Sequence, residues 1–128
     1  MKDKLYLIKP DFIDNGQGPF YCPDSLAVEG MLGFYPQLRE QIDVQYVEFQ
    51  RPREVIIREL GEENQGLPVL IIDEKNLPLV NHLGVLSSNE KHYLNDQKEI
   101  RGYLSIVYAV GKSHAMKSRK ISSFGDCR

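Results

Sequence analysis

The sequence predicts one α/β domain, a central mixed sheet of about four strands flanked by helices in the order β-α-β-α-β-(β)-α. Two observations carry this. Short apolar runs at Leu5–Ile8 and Val69–Ile72 read as buried strands, and they alternate with segments of helical period. Two β-α-β-like connections then call for a sheet with a parallel portion and helices on both faces. The G-x-G-x-x-G turn of a dinucleotide-binding half is absent after the first strand.

In chain order, Leu5-Tyr6-Leu7-Ile8 is the first strand, ended by Pro10. Residues 9–19 hold two prolines and two glycines and are expected to form a loop. Pro23 suits the first position of a helix, where its missing N–H is one the helix leaves unpaired. Leu26, Gly30, Phe34 and Leu38, with Ala27 and Met31, recur at helical spacing, and Pro36 breaks or restarts that helix. Asp43–Phe49 alternates as a second strand. Pro52 opens a second helix through Val55, Ile56 and Leu60, with Gly61 as its stop.

Val69–Ile72 is the strongest strand signal. Asp73–Asn76 reads as a turn leading into Leu77–Val80, residues 81–90 give no clear pattern, and His92–Leu94 forms a short strand. Asn95 is expected to cap a last helix with Ile100, Leu104, Val107 and Tyr108 inward. The expected core is Leu7, Leu26, Met31, Phe34, Val47, Ile56, Leu60, Leu70, Ile72 and Leu104. The domain spans 1–111, and the polar, basic stretch 112–128 is expected to be a disordered tail.

Bulk properties narrow the function classes. Hydrophobic residues make up 41% of the 128 and charged residues 27%, with a net charge of −2. No basic excess points to nucleic acid or an anionic membrane, and no apolar run approaches the ~20 residues that span a bilayer. The N-terminus enters a strand pattern directly, without the apolar core of a signal peptide. Two cysteines are not a disulfide framework. The expectation is a reduced, cytoplasmic protein.

The chemistry-bearing residues fall in two segments, Phe20-Tyr21-Cys22-Pro23-Asp24-Ser25 and Leu67-Pro68-Val69-Leu70. A cysteine at a helix N-terminus has its thiolate favoured by free N–H groups and the helix dipole. Asp24 opposes that effect with its negative charge, and a small buried apolar side chain is the alternative role for Cys22. Ser25 stands where a C-x-x-C pair would place a second cysteine. It can donate a hydrogen bond across one turn to a thiolate, or be an ordinary helix serine.

These segments, with the element order, resemble thioredoxin-fold proteins. More closely, Ile8-Lys9-Pro10-Asp11-Phe12, Arg51-Pro52-Arg53, Glu62-Glu63-Asn64-Gln65, Leu67-Pro68-Val69-Leu70 and Asn95-Asp96 are similar to a bacterial thioredoxin-like family catalogued as a domain of unknown function, over about residues 4–110. The resemblance implies a thioredoxin-like fold, a cis peptide at Pro68, and a backbone at Leu67 that faces Cys22 and pairs with an extended peptide. Among relatives a second cysteine often stands at the position of Ser25.

By analogy with monothiol glutaredoxins, the expected function is that of a monothiol thiol–disulfide oxidoreductase using Cys22 and Ser25, with Tyr21, Leu67, Pro68, Asn95 and Asp96 binding substrate. Glutathione is the expected co-substrate and a small thiol or a protein disulfide the expected partner. Lys9, Arg51 and Arg53 are candidates for a glycyl carboxylate, though basic side chains near helix starts are usually solvated. Helix capping alone is the stronger explanation of Asn95 and Asp96. The alternatives are a redox-inactive thioredoxin-fold binding module and a stand-alone relative of the glutathione transferase N-terminal domain. No metal is expected, because His82, His92 and His114 have no ligand spacing with Cys22. Cys127 is either a distant resolving thiol or a residue with no role.

Overall fold

The computed structural model describes residues 1–114. Its elements are β1 (Lys4–Ile8), β2 (Phe12–Asp14), β3 (Gln17–Phe20), α1 (Pro23–Phe34), α2 (Leu38–Gln41), β4 (Asp43–Val47), α3 (Glu54–Leu60), β5 (Val69–Ile71), a 3-10 segment (Glu74–Leu79), β6 (Leu86–Ser88), β7 (Lys91–Leu94) and α4 (Gln97–Tyr108). The expected basic tail begins with three exposed residues without regular structure, 112–114, and the rest of it lies outside the described residues.

The sheet has five strands in the order β4-β1-β5-β7-β6, one more than expected. β1 and β4 are parallel, and β1–β5, β5–β7 and β7–β6 are antiparallel. The result is a mixed α/β domain compatible with a thioredoxin-like arrangement. The pleat of β1 divides its residues between two cores. Leu5 and Leu7 join Val28 and Leu32 of α1 and Ile100 and Leu104 of α4 on one side. Tyr6 and Ile8 join Ile56 and Leu60 of α3, together with Cys22, Leu67 and Val69, on the other.

Three expectations are corrected here. Residues 9–19 are not all loop: β2 and β3 form a hairpin in which Asp14 pairs with Gln17. Asn15 and Gly16 turn it with φ of 53° and 75°, the left-handed pair that a two-residue hairpin requires and that Asn-Gly supplies. The inward stripe of α1 is Ser25, Val28 and Leu32. Leu26 and Phe34 are therefore not core residues, being 51% and 83% exposed, and Met31 is only partly buried. Asn95 is not the cap of α4. That position belongs to Asp96, whose carboxylate accepts from the Glu99 N–H at 3.1 Å.

Pro68 follows a cis peptide, as the resemblance implies, and so do Pro19 and Pro52. Pro36 lies in the break between α1 and α2, and Gly61 ends α3 at φ 96°, donating its N–H to the Ile57 carbonyl.

Two buried carboxylates tie the layers together. Asp3, 1% exposed, accepts from the Asp73 N–H at 2.6 Å, the Asn76 amide at 3.3 Å, the Tyr103 hydroxyl at 2.8 Å and the Tyr108 hydroxyl. Glu59 on α3 accepts from Lys4 at 3.0 Å, Tyr6 at 2.9 Å and Lys91. Burial would raise the Glu59 pKa, but the bonds from Lys91, Lys4 and Tyr6 outweigh it and hold the group down at about 2.

Candidate functional site

The β2–β3 hairpin delivers the chain to Cys22. The Asp11 N–H donates to the Phe20 carbonyl at 2.7 Å, closing the hairpin base. Phe12 stacks on Phe49 with ring centroids 4.2 Å apart. The Arg53 guanidinium lies 5.9 Å from the centre of the Phe49 ring. Arg53 is itself buried at 3% exposure, donating to the carbonyls of Phe49 and Gln65. Burial, and then the charge of Arg51, lower its pKa to about 10. Expected to be solvated, Arg53 is instead a structural brace, because five N–H donors can meet two backbone carbonyls at once.

Cys22 is the N-cap residue of α1, with φ −84° and ψ 119°. Its carbonyl accepts the first helical hydrogen bond, from the Leu26 N–H at 2.9 Å. Pro23 follows at the first helical position, and Asp24 lies in the first turn. The side chain is 1% exposed, in the α3-side core with Leu67. Among the described residues no cysteine is a free thiol, so thiol chemistry concerns the reduced protein. Ser25 is 4% exposed, and its hydroxyl oxygen accepts the Ile8 N–H at 3.1 Å. That bond satisfies a buried donor at the end of β1 and fixes α1 against the sheet.

Beside Cys22 opens a groove of about 460 Å³ lined chiefly by apolar atoms. The end of β1 and the residues after it contribute Leu7, Ile8, Lys9 and Pro10. The start of α1 contributes Tyr21, Cys22, Ser25, Leu26 and Glu29, and β4 contributes Tyr46. Tyr21 and Leu26 stand at the mouth, 60% and 51% exposed. The Tyr46 hydroxyl donates to Glu29 at 2.5 Å, and Arg39 donates to the same carboxylate at 2.6 Å. Burial, with the bond to Glu29, pushes the Tyr46 hydroxyl above its ordinary range. Lys9 pairs with Glu48 at 3.4 Å across the surface.

The groove thus joins three of the expected site residues, Tyr21, Cys22 and Ser25. Leu67 and Pro68 are buried; Leu67 shares a core with Cys22, and neither lines the groove. Asn95 and Asp96 lie ahead of α4 and do not line it either. Cys127 lies outside the described residues. Sequence reasoning missed Tyr46 and Glu29 as groove walls. Glu29 carried a signal, since it lies one helical turn from Ser25 on the same side of α1.

Among the described residues, no three His, Cys, Asp or Glu side chains group to hold a metal. No helix in that range is long and apolar enough to cross a membrane. His92 on β7 buries an Nδ1 with no hydrogen-bond partner there, and it does not border the groove. Neither a curated protein nor a solved structure matches the chain. A family model does match, over residues 2–112, and the chain belongs to the family it describes, "Protein of unknown function (DUF3088)".

Proposed function

We propose that the protein is a monothiol thiol–disulfide oxidoreductase in which reduced Cys22 is the nucleophile. The observation that supports this is the position of Cys22: N-cap of a 12-residue helix and part of the lining of an apolar groove. Unpaired N–H groups at a helix start favour a thiolate. The groove gives a substrate sulfur somewhere to approach. In this reading Ser25 supports the thiolate with its hydroxyl hydrogen, while its oxygen stays on the Ile8 N–H. Tyr21 covers the mouth, whereas Leu67, Pro68, Asn95 and Asp96, which do not line the groove, are left out of this reading. Glutathione is the co-substrate that resolves the mixed disulfide, and the partner is a small thiol or a protein disulfide.

The test is glutathione-coupled disulfide reduction by the full chain against Cys22→Ser. Loss of at least ~100-fold in rate is expected, since a serine hydroxyl is not ionised at neutral pH. Equal rates, or no activity in the unsubstituted protein, would refute the reading.

A second reading is a redox-inactive thioredoxin-like binding module. The low exposure of Cys22 and the structural bond of Ser25 favour it. It predicts that Cys22→Ser leaves partner binding intact.

A further inference from the structure

The walls of the groove bear on which disulfide Cys22 would take, an inference that rests on the functional reading above. Glu29 is neutralised by Arg39 and bonded by Tyr46. Lys9 stays on the solvent side, its side chain 60% exposed and 3.4 Å from Glu48. The interior of the groove is apolar, formed by Leu7, Ile8, Leu26 and the Tyr21 and Tyr46 rings. A ligand complementary to such walls is uncharged and apolar, because a charged group entering would lose hydration without a partner.

Two of the groups expected to meet the charged ends of a tripeptide such as glutathione are committed elsewhere. Arg53 is buried on the carbonyls of Phe49 and Gln65, and Asp96 caps α4. We propose that the groove selects disulfides carrying an apolar alkyl or aryl group on the attacked sulfur over those carrying a polar one, with glutathione acting as the reductant and not as the recognised group.

The Cys22 thiolate attacks the sulfur bearing the apolar group R in R–S–S–R′. The S–S bond breaks, a Cys22–S–S–R bond forms, and R′–S⁻ leaves and takes a proton. One glutathione thiolate then attacks the Cys22 sulfur and releases R–SH. A second frees Cys22 as glutathione disulfide leaves, so R–S–S–R′ is reduced and two glutathione molecules are oxidised.

The test uses the reduced full chain carrying Cys127→Ser, so that Cys22 alone reports. Exchange rates with dibutyl disulfide and bis(2-hydroxyethyl) disulfide are each divided by the rate of N-acetylcysteine, which removes intrinsic reactivity. The expected ratio favours the butyl compound by about tenfold, the gain from burying two methylenes. Leu26 is half exposed at the mouth, so Leu26→Gln keeps the fold and is expected to lower that preference to about threefold. Equal normalised rates, or a preference that Leu26→Gln does not move, would overturn the inference and leave the functional reading standing. Exchange with neither disulfide would overturn both.

Discussion

Replacing Glu59 by Gln tests the reading of the polar core most sharply. The residue is 8% exposed, and its carboxylate accepts from Lys4, Lys91 and Tyr6. Its pKa falls from an ordinary 4.5 to about 2 in the folded chain. Through linkage, that depression corresponds to ~3 kcal/mol of stability at neutral pH. Because the folded value lies below the unfolded one, the contribution is fully present above about pH 4.5 and is lost as pH falls through about 2. Glu59→Gln keeps the shape but leaves two lysines around a neutral amide, so it is expected to cost about 2–3 kcal/mol at pH 7. For a domain of this size that lowers Tm by roughly 8–12 °C. Urea melts of both proteins at steps from pH 7 to pH 2 read the difference directly, since the titration of other carboxylates cancels between them. The gap should narrow below pH 4.5 and close near pH 2. A gap under ~0.5 kcal/mol at pH 7, or one that does not change with pH, would refute the reasoning.

Other substitutions test separate joints of the fold. Asp3→Asn removes the anionic acceptor shared by Asp73, Asn76, Tyr103 and Tyr108, and should lower stability in urea by about 2–4 kcal/mol. Asp96→Ala deletes the α4 cap and should cost about 1 kcal/mol, read by thermal melting. Gly18→Ala places a methyl 2.7 Å from the Phe12 carbonyl oxygen at φ +139°. It is expected to destabilise the hairpin by ~1–3 kcal/mol, seen as faster amide exchange in β2 and β3.

The α/β order was legible because the signals of β1 and β5 are continuous apolar runs and the start of α1 is marked by Pro23. The face of α1 was not. Leu26, Gly30 and Phe34 recur at helical spacing as well as Ser25, Val28 and Leu32 do. Tertiary packing decides between them: Val28 and Leu32 join Leu5 and Leu7 of the sheet in one core, and Ser25 bonds the Ile8 N–H. The hairpin was hidden for a different reason: its Asn15-Gly16 turn sat among prolines that read as loop. Cys22 was legible as a helix start, since Pro23 marks it. The groove beside it was not, because it needs Tyr46 from a strand that only the parallel β1–β4 pairing brings alongside.

The most direct measurement of the central claim is the rate of Cys22 alkylation by iodoacetamide against pH, on reduced protein carrying Cys127→Ser. The account predicts rapid labelling with a midpoint below the ~8.5 of an ordinary thiol, because the helix start and the groove make the thiolate both favoured and reachable. Slow labelling, or a midpoint at or above that value, would contradict it and leave Cys22 as a packing residue.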